Sequence, residues 1–578
     1  MFLPSDSNDL VRKLVYLYEK TKDQLSDERD KWDRYSKLYN NHVDVEEYPF
    51  PFKVFVPWTF SIIETKIPRF VNGLLYRNPI VSVSASHPST PAESVLAASR
   101  LLNGKWMTDQ RTYRTTTMMF KEGITYGTSF GLIHHRKKRK RINERVPTGI
   151  EGVYNKVSRN ILEINRPELI HCDLWTCYPD LDATEVEDMK FFFTEMIVEM
   201  EELEYGSINY KNLEAVRRSG NWTDTDEFVK TRMDGVGRTY KPDAASREND
   251  LFNPRHLLQG FFQLYKKDGS VEYRVISIVN KEILVRDEPM DFWNIIKFTN
   301  LPQPHELLGL GEPFSLESLQ LTMNDFTNME LTNSLMALTK MWLVGDGADA
   351  DLDQFVLEPF NVIQVSDVSQ VKELTYSGMD NSGDRMVQML VGAMQQASGI
   401  QDYLQGQTPQ RQEYATTVLA LQNASEARID CQIKWAERET ISEIARKMIE
   451  CAQYNLTEPE YIPNQSGELE GYTLDQIQGL YDFQIHGVSS GVQDLKRQAF
   501  MDFAKIIGEL LGEMMPMPVR IELARKVATT FDGLEGTDEI LAALQSPPQE
   551  QPLGGPALPG GNDTGDPSGM GGIPPHLM

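Results

Sequence analysis

Apolar residues at Leu10, Leu14, Leu17, Leu25, Trp32, Tyr35 and Leu38 recur at roughly helical spacing among many charges, which predicts one or two amphipathic helices. A more apolar helical run, PWTFSIIETKIPRFVNGLLY, spans Pro57 to Tyr76. Pro68 is expected to kink or break it, because proline offers no amide donor. Pro79 then opens a short strand, IVSVSA, whose alternation and β-branching suit a sheet. Two more helices are expected over Pro91 to Trp106 and Thr112 to Ile124.

From Gly127 to about Phe298 the pattern turns strand-rich. GLIHH, NILEIN, FFFTEMIV, GFFQLYKK, EYRVISIVN and KEILVRD read as short strands, with KKDGS as a hairpin turn. A helix is expected to interrupt at Glu199 to Ser219, and the polar stretch Asn221 to Asn253 reads as a loop.

Helical signals return at GLGEPFSLESLQ, where Pro313 and Ser315 mark a start and neither Gly nor Pro follows from Phe314 to Val344. KMWLV, FVLEPF, VIQV and VKELTY read as short strands. Asp384 can cap a second helix, RMVQMLVGAMQQAS, with Met386, Leu390, Ala393 and Ala397 on one face and Gly399 at its end. After a polar loop, the stretch between Pro409 and Pro459 holds no Gly or Pro. Ile429, Ile433, Trp435, Ile441, Ile444, Met448 and Ala452 favour one side of it. About forty helical residues would span roughly 60 Å. YDFQIHGV reads as a strand-like piece, helices follow over about Gln493 to Leu511, Pro518 to Thr529 and Thr537 to Leu544, and the Pro/Gly-rich end reads as disordered.

Length changes the picture first: 578 residues predict about three or four compact units. No window approaches the ~20 apolar residues that cross a bilayer, and the N-terminus lacks a signal peptide's apolar core. A cytoplasm-like compartment is the expectation. Four cysteines are too few for a disulfide framework. The net charge of −26 argues against a tight, free-standing binder of duplex DNA, which is usually basic. Solubility is one explanation, and composition does not distinguish it from a surface past which DNA slides.

Candidate chemistry is thin. Gly127-Thr128-Ser129-Phe130-Gly131 fits G-x-S-x-G, yet a helix precedes and a strand follows, which inverts the context of a nucleophile elbow. A tight helix-to-strand turn explains these glycines better; a cytosolic hydrolase using Ser129 is the alternative. No P-loop is present, and Gly309-Leu310-Gly311 lacks the rest of a dinucleotide fingerprint. Asp346, Asp349, Asp351 and Asp353 miss the Gly and Glu of a calcium loop and read as a solvated acidic loop. His171, Cys172 and Cys177 lack the second ligand pair of a zinc site. No cofactor or metal site is read from the chain. The dense basic run Arg136, Lys137, Lys138, Arg139, Lys140 and Arg141 reads as a solvated strand end or loop, or more sharply as attachment to an acidic partner or to DNA.

The order of these elements over roughly residues 5 to 545 resembles the portal proteins of tailed bacteriophages. The resemblance is carried by Trp32 and Tyr35, the Asn-Pro-Ile-Val-Ser-Val strand at 78–83 and the Tyr126 to Gly131 turn. It continues in the Gly-x-Gly-Glu before a helix with Leu319, Gln320 and Asn324, then a helix, short β region, helix, Gln/Gly loop and very long helix from 313 to 456. It implies an α+β, mainly helical portal fold with wing, stem, clip and crown around a central channel. The wing would be 1–312 and 413–490, the stem helices 313–340 and 382–398, and the clip 341–381. The tunnel loop would be 399–412, the crown 491–545, and 546–578 a disordered tail. The resemblance further implies a homododecameric ring at a capsid vertex of the virion, assembled in the host cytoplasm, with no catalytic activity and no membrane. Its partners would be double-stranded viral DNA, the large terminase subunit, head-completion, adaptor and tail proteins, the major capsid protein and scaffold. Gln405, Gln407, Gln410 and Arg411 would face the tunnel, and Asp349, Asp351 and Asp353 would lie in the docking clip. The basic run at 136–141 matches no motif of that family. A monomeric helical adaptor or scaffold protein is the remaining alternative.

Overall fold

The computed structural model describes residues 6–42, 49–76, 79–147, 154–206, 208–219, 254–338, 341–344, 371–374, 382–400, 427–463 and 469–484. These belong to one compact unit, Met1–Val492; the second unit, Gln493–Met578, lies outside them. The expected polar loop at 221–253, most of the clip, the tunnel loop, the start of the long helix, the crown and the tail all lie outside the described residues.

The N-terminal pattern resolves into two helices, α1 (Ser7–Gln24) and α2 (Ser26–Tyr39). Leu10, Leu14, Leu25, Trp32, Tyr35 and Leu38 are buried, as their spacing predicts. Helix α3 (Trp58–Leu75) is continuous through Pro68, so the proline does not break it. Pro68 is exposed, while Ile62, Ile63, Ile67, Phe70, Val71 and Leu74 are buried around it. Tertiary packing of that apolar stripe outweighs the ~3 kcal/mol that an interior proline costs. A short strand β1 (Ser82–Ala85) follows. Helix α4 (Ala92–Leu101) runs on into a π-turn (Leu102–Trp106), and Asp109 caps α5 (Gln110–Tyr126) by accepting from the Arg111 amide at 3.1 Å.

The strand-rich part differs most from expectation at its start. Where short strands were expected, β2 (Thr128–Pro147) and β3 (Tyr154–Cys172) form one long antiparallel hairpin. Then come β4 (Cys177–Pro179), β5 (Phe191–Glu199), β6 (Pro254–Tyr265), β7 (Val271–Val279), β8 (Ile283–Met290) and β9 (Ile295–Thr299). They build an antiparallel sheet ordered β4-β5-β6-β7-β8 and a smaller one ordered β3-β2-β9. The β6–β7 connection is the expected turn: Lys266 donates its amide to Ser270 O at 2.9 Å and Gly269 takes φ +81°. Two short helices, α6 (Met200–Tyr205) and α7 (Leu213–Arg218), replace the single helix expected over Glu199 to Ser219, with Gly206 ending the first.

Helix α8 (Pro313–Leu338) leads to β10 (Met341–Val344), which pairs antiparallel with β11 (Val371–Leu374) before α9 (Ser382–Ser398). Because α9 starts at Ser382, Asp384 lies inside its first turn and is not the cap expected for it. Gly399, at φ +73°, ends it as expected. The described part of the long helix, α10, runs over 427–436, a π-turn (Glu437–Ile441) and Ser442–Asn455. The π-turn inserts a residue into the 3.6 period. Ile429 and Ala436 are buried before it, Ile441 at its end, and Ile444, Met448 and Ala452 after it, while Trp435, expected inward, is 47% exposed. Strands β12 (Glu460–Pro463) and β13 (Leu469–Tyr472) pair with each other, and β14 (Tyr481–Gln484) returns to β1.

Two main cores result. One gathers α3, α4, α5, α8, α9 and α10; the other packs α1 and α2 on the five-stranded sheet. In the second, Glu195 accepts from the hydroxyls of Tyr18 at 2.9 Å and Tyr178 at 2.6 Å and faces His256 Nε2 at 2.8 Å. Burial, with the Glu195 charge beside it, pushes the Tyr18 hydroxyl far above the ordinary tyrosine range.

Candidate functional site

The motifs singled out at 126–131 and 309–312 meet in space. Gly127 ends α5 at φ +104°, a conformation that favours glycine, and its carbonyl accepts from the Asn300 amide at 3.0 Å. The Glu312 amide donates to Ile124 O at 2.9 Å, and the Gly309 amide donates to Thr128 Oγ1 at 2.8 Å. A Cβ at Gly309 or Gly311 would collide with Thr299 or with the Thr125 carbonyl. The glycines therefore serve close approach of two backbones. Ser129 sits in this junction fully buried, its Oγ donating to Met119 O at 2.8 Å, so its hydroxyl is closed to any substrate.

Beside the junction, Glu312 forms a fully buried ion pair with Lys66 of α3. Lys66 Nζ also donates to Gln432 Oε1 of α10 at 3.0 Å, and Asn300 Nδ2 donates to Glu312 Oε1 at 3.3 Å. Burial, opposed by Glu312, holds the Lys66 ammonium below the ordinary lysine pKa. One charge pair thus ties α3, the 300–312 loop and α10.

Helix α8 starts from this node, and its buried face is partly polar. Gln320, Asn324 and Asn328, at helical spacing, accept from the amides of Thr59 at 3.0 Å, Val56 at 3.2 Å and Val54 at 2.8 Å. Asn328 also donates to Val54 O at 2.8 Å. These side chains satisfy an extended backbone that no strand pairs. Hydrophobic periodicity missed this face because its buried positions are amides.

Helices α8 and α9 pack on each other, and Gly383 lies close against Glu330. Apolar residues are exposed on their outer sides, Phe314, Leu321, Leu335 and Met336 on α8 and Met389 on α9, interleaved with Ser318, Thr322, Asp325, Arg385 and Gln388. The β10–β11 pair lies between the two helices in sequence. Asp349, Asp351 and Asp353, and the tunnel residues Gln405, Gln407, Gln410 and Arg411, lie outside the described residues.

The basic run is neither a strand end nor a loop: Arg136 to Arg141 occupy the middle of β2. Arg136 pairs with Glu168 at 3.1 Å, and Lys138 and Lys140 share Glu163 at 3.0 and 3.2 Å. Lys137 reaches Thr457 Oγ1 at 3.3 Å.

His171 Nε2 lies 2.7 Å from Glu122, whose carboxyl is raised by burial. Cys177 donates to Asp173 O at 3.2 Å, and burial pushes its thiol well above the usual range. Among the described residues no group of His, Cys, Asp and Glu is arranged to hold a metal. Among them, too, no helix is long and apolar enough to cross a membrane.

Comparison with curated proteins finds no match. A family model described as phage SU10 portal protein matches residues 136–557, nearly three quarters of the chain. The match begins at the basic run, which the resemblance alone left unplaced, and takes in the junction at 309–312, the α8–β10–β11–α9 unit and α10. It does not reach the N-terminal helices. On this match, over α8, α9 and the long helix that the order of elements singles out, the chain belongs to the phage SU10 portal protein family.

Proposed function

We propose that this portal protein assembles as a closed ring of about twelve copies at one capsid vertex and forms the conduit through which double-stranded DNA is packaged and ejected. It acts without catalysis of its own. The large terminase subunit docks on the clip during packaging, followed by head-completion, adaptor and tail proteins; the major capsid protein and scaffold contact the ring. The observation that carries this reading is the set of large apolar side chains exposed on the α8–α9 pair. Among the described residues nothing covers Leu335, Met336 and Met389, and lateral packing of copies would bury them. Closed cyclic symmetry stops the growth of such head-to-tail contacts.

Electron microscopy of the purified chain, alone and co-expressed with scaffold, is expected to give rings with a central channel. Monomers in both conditions, with no rings at micromolar concentration, would count against it. Residues 403–409 are proposed as part of the tunnel constriction, where Gln405, Gln407 and Gln410 offer polar contacts and only Arg411 strong counterion release. Shortening 403–409 is expected to leave rings intact and to reduce packaged or retained DNA. Normal packaging, retention and infectivity in that variant would sink the assignment.

A further inference from the structure

The β2–β3 hairpin outgrows its own sheet. Strand β9 pairs with β2 only as far as Leu132, whereas β2 and β3 stay paired to Pro147 and Tyr154. From Lys137 outward this is roughly 35 Å of two-stranded ribbon. Residues 137–141 and 156–161 are exposed throughout, so neither face is covered. An uncovered two-stranded ribbon is marginal in water, and one this long calls for a partner.

Cross-strand register shows what each face offers. Lys138 lies opposite Ile164 and Lys140 opposite Ile161 on one face; Arg139 lies opposite Leu162 and Arg141 opposite Asn160 on the other. On the first face Glu163 pairs with both lysines and leaves one net positive charge, and Ile161 is 41% exposed. On the second, Arg139 and Arg141 have no acidic partner among the described residues. Shared carboxylates and open aliphatic side chains suit a protein surface better than a phosphate backbone.

The charge balance names the partner. Residues 136–166 hold ten Lys or Arg against three Glu, a surplus of seven in a chain of net charge −26, so the remainder carries −33. A complement that sets acidic beside exposed apolar residues is the end of β5 with α6. Met196, Ile197 and Tyr205 are exposed there, Tyr205 by 84%. Glu199, Glu201 and Glu202 are exposed beside them in sequence and make no ion pair among the described residues.

We propose that the ribbon of one copy docks on segment 196–205 of a second copy of this chain, with Arg139 and Arg141 against Glu199, Glu201 and Glu202 and with the aliphatic residues of the two surfaces in contact. The contact uses different surfaces on the two copies, so it propagates head to tail, as a ring requires when the rotation between copies closes. It rests on the ring reading above and names the residues that join neighbours.

The test compares full-length wild type, R139E/R141E, E201R/E202R and the four-fold combination, scored by microscopy and mass over graded salt, with thermal melts as a folding control. R139E/R141E is expected to need at least tenfold more protein to form rings, with its melt unchanged, and the combination is expected to recover assembly. In a Cys431→Ser background, oxidation of Arg141→Cys with Glu202→Cys is expected to give a ladder of linked subunits. Wild type that stays monomeric would remove both readings. Rings unaffected by R139E/R141E, with no ladder, would remove this one alone. So would loss of duplex-DNA retardation in that variant with assembly unchanged, which assigns the ribbon to DNA.

Discussion

Gly127→Ala is expected to destabilise the chain by about 2–6 kcal/mol, enough to drive most of it into the insoluble fraction on expression. Two costs combine. A non-glycine residue held at φ +104° is strained by roughly 1–3 kcal/mol. The new Cβ would also overlap the Gly309 carbonyl oxygen and come within 2.9 Å of Gly311 N, and forcing those backbones apart costs about 1–3 kcal/mol more. Gly269→Ala separates the two. Gly269 also has positive φ, at +81°, but has open space where its Cβ would be, so only the strain remains. Denaturant melts giving equal losses for both variants would refute the packing argument.

The second large effect is expected at the buried ion pair. Lys66→Met leaves Glu312 buried without its cation and is expected to cost about 3–5 kcal/mol, whereas Lys66→Met with Glu312→Leu should recover most of that loss. A double-mutant cycle in urea measures the difference. The pH dependence has a definite sign. Because burial sets the folded-state pKa of Lys66 below the unfolded value, the folded chain loses this proton first as pH rises. The lysine's contribution therefore becomes more favourable between its lowered pKa and the ordinary lysine value of 10.5, and is flat below that window. Relative to the double variant, wild type should gain stability across it. An invariant difference through the alkaline range would contradict the assignment.

Local signals were legible where one face meets a core and the other meets water. The spacing of Leu10, Leu14, Trp32 and Tyr35 locates α1 and α2, and Asp268-Gly269 locates the β6–β7 turn. The long hairpin was hidden because both its faces are exposed, so no alternation marks it, and a run of Lys and Arg has little strand propensity. Helix α8 was found by its start signals, but hydrophobic spacing does not mark Gln320, Asn324 and Asn328 as its buried face, because they are amides. Trp435 was misplaced because a single period cannot describe a helix that contains a π-turn. At the site, the glycines at 127, 309 and 311 stood out, yet their meeting is a long-range event that no local window contains. The Lys66–Glu312 pair, 246 residues apart, carried no sequence signal at all.

Pairing of β1 with β14 also sets an order in time. Ser84 and Asp482 are linked across 398 residues, and Val83 faces Phe483 in that ladder. Closing so long a loop adds little entropy over a shorter one, since the penalty grows only with the logarithm of length. The delay is set by synthesis. At roughly 5–20 residues per second, β1 waits about 20–80 s after leaving the ribosome before its partner strand exists. Over that interval Val81 and Val83 lack their native cover, and a nascent chain beside another on the same message presents an open strand edge to it. Ribosome spacing on the message thus becomes a determinant of how much chain reaches the native fold.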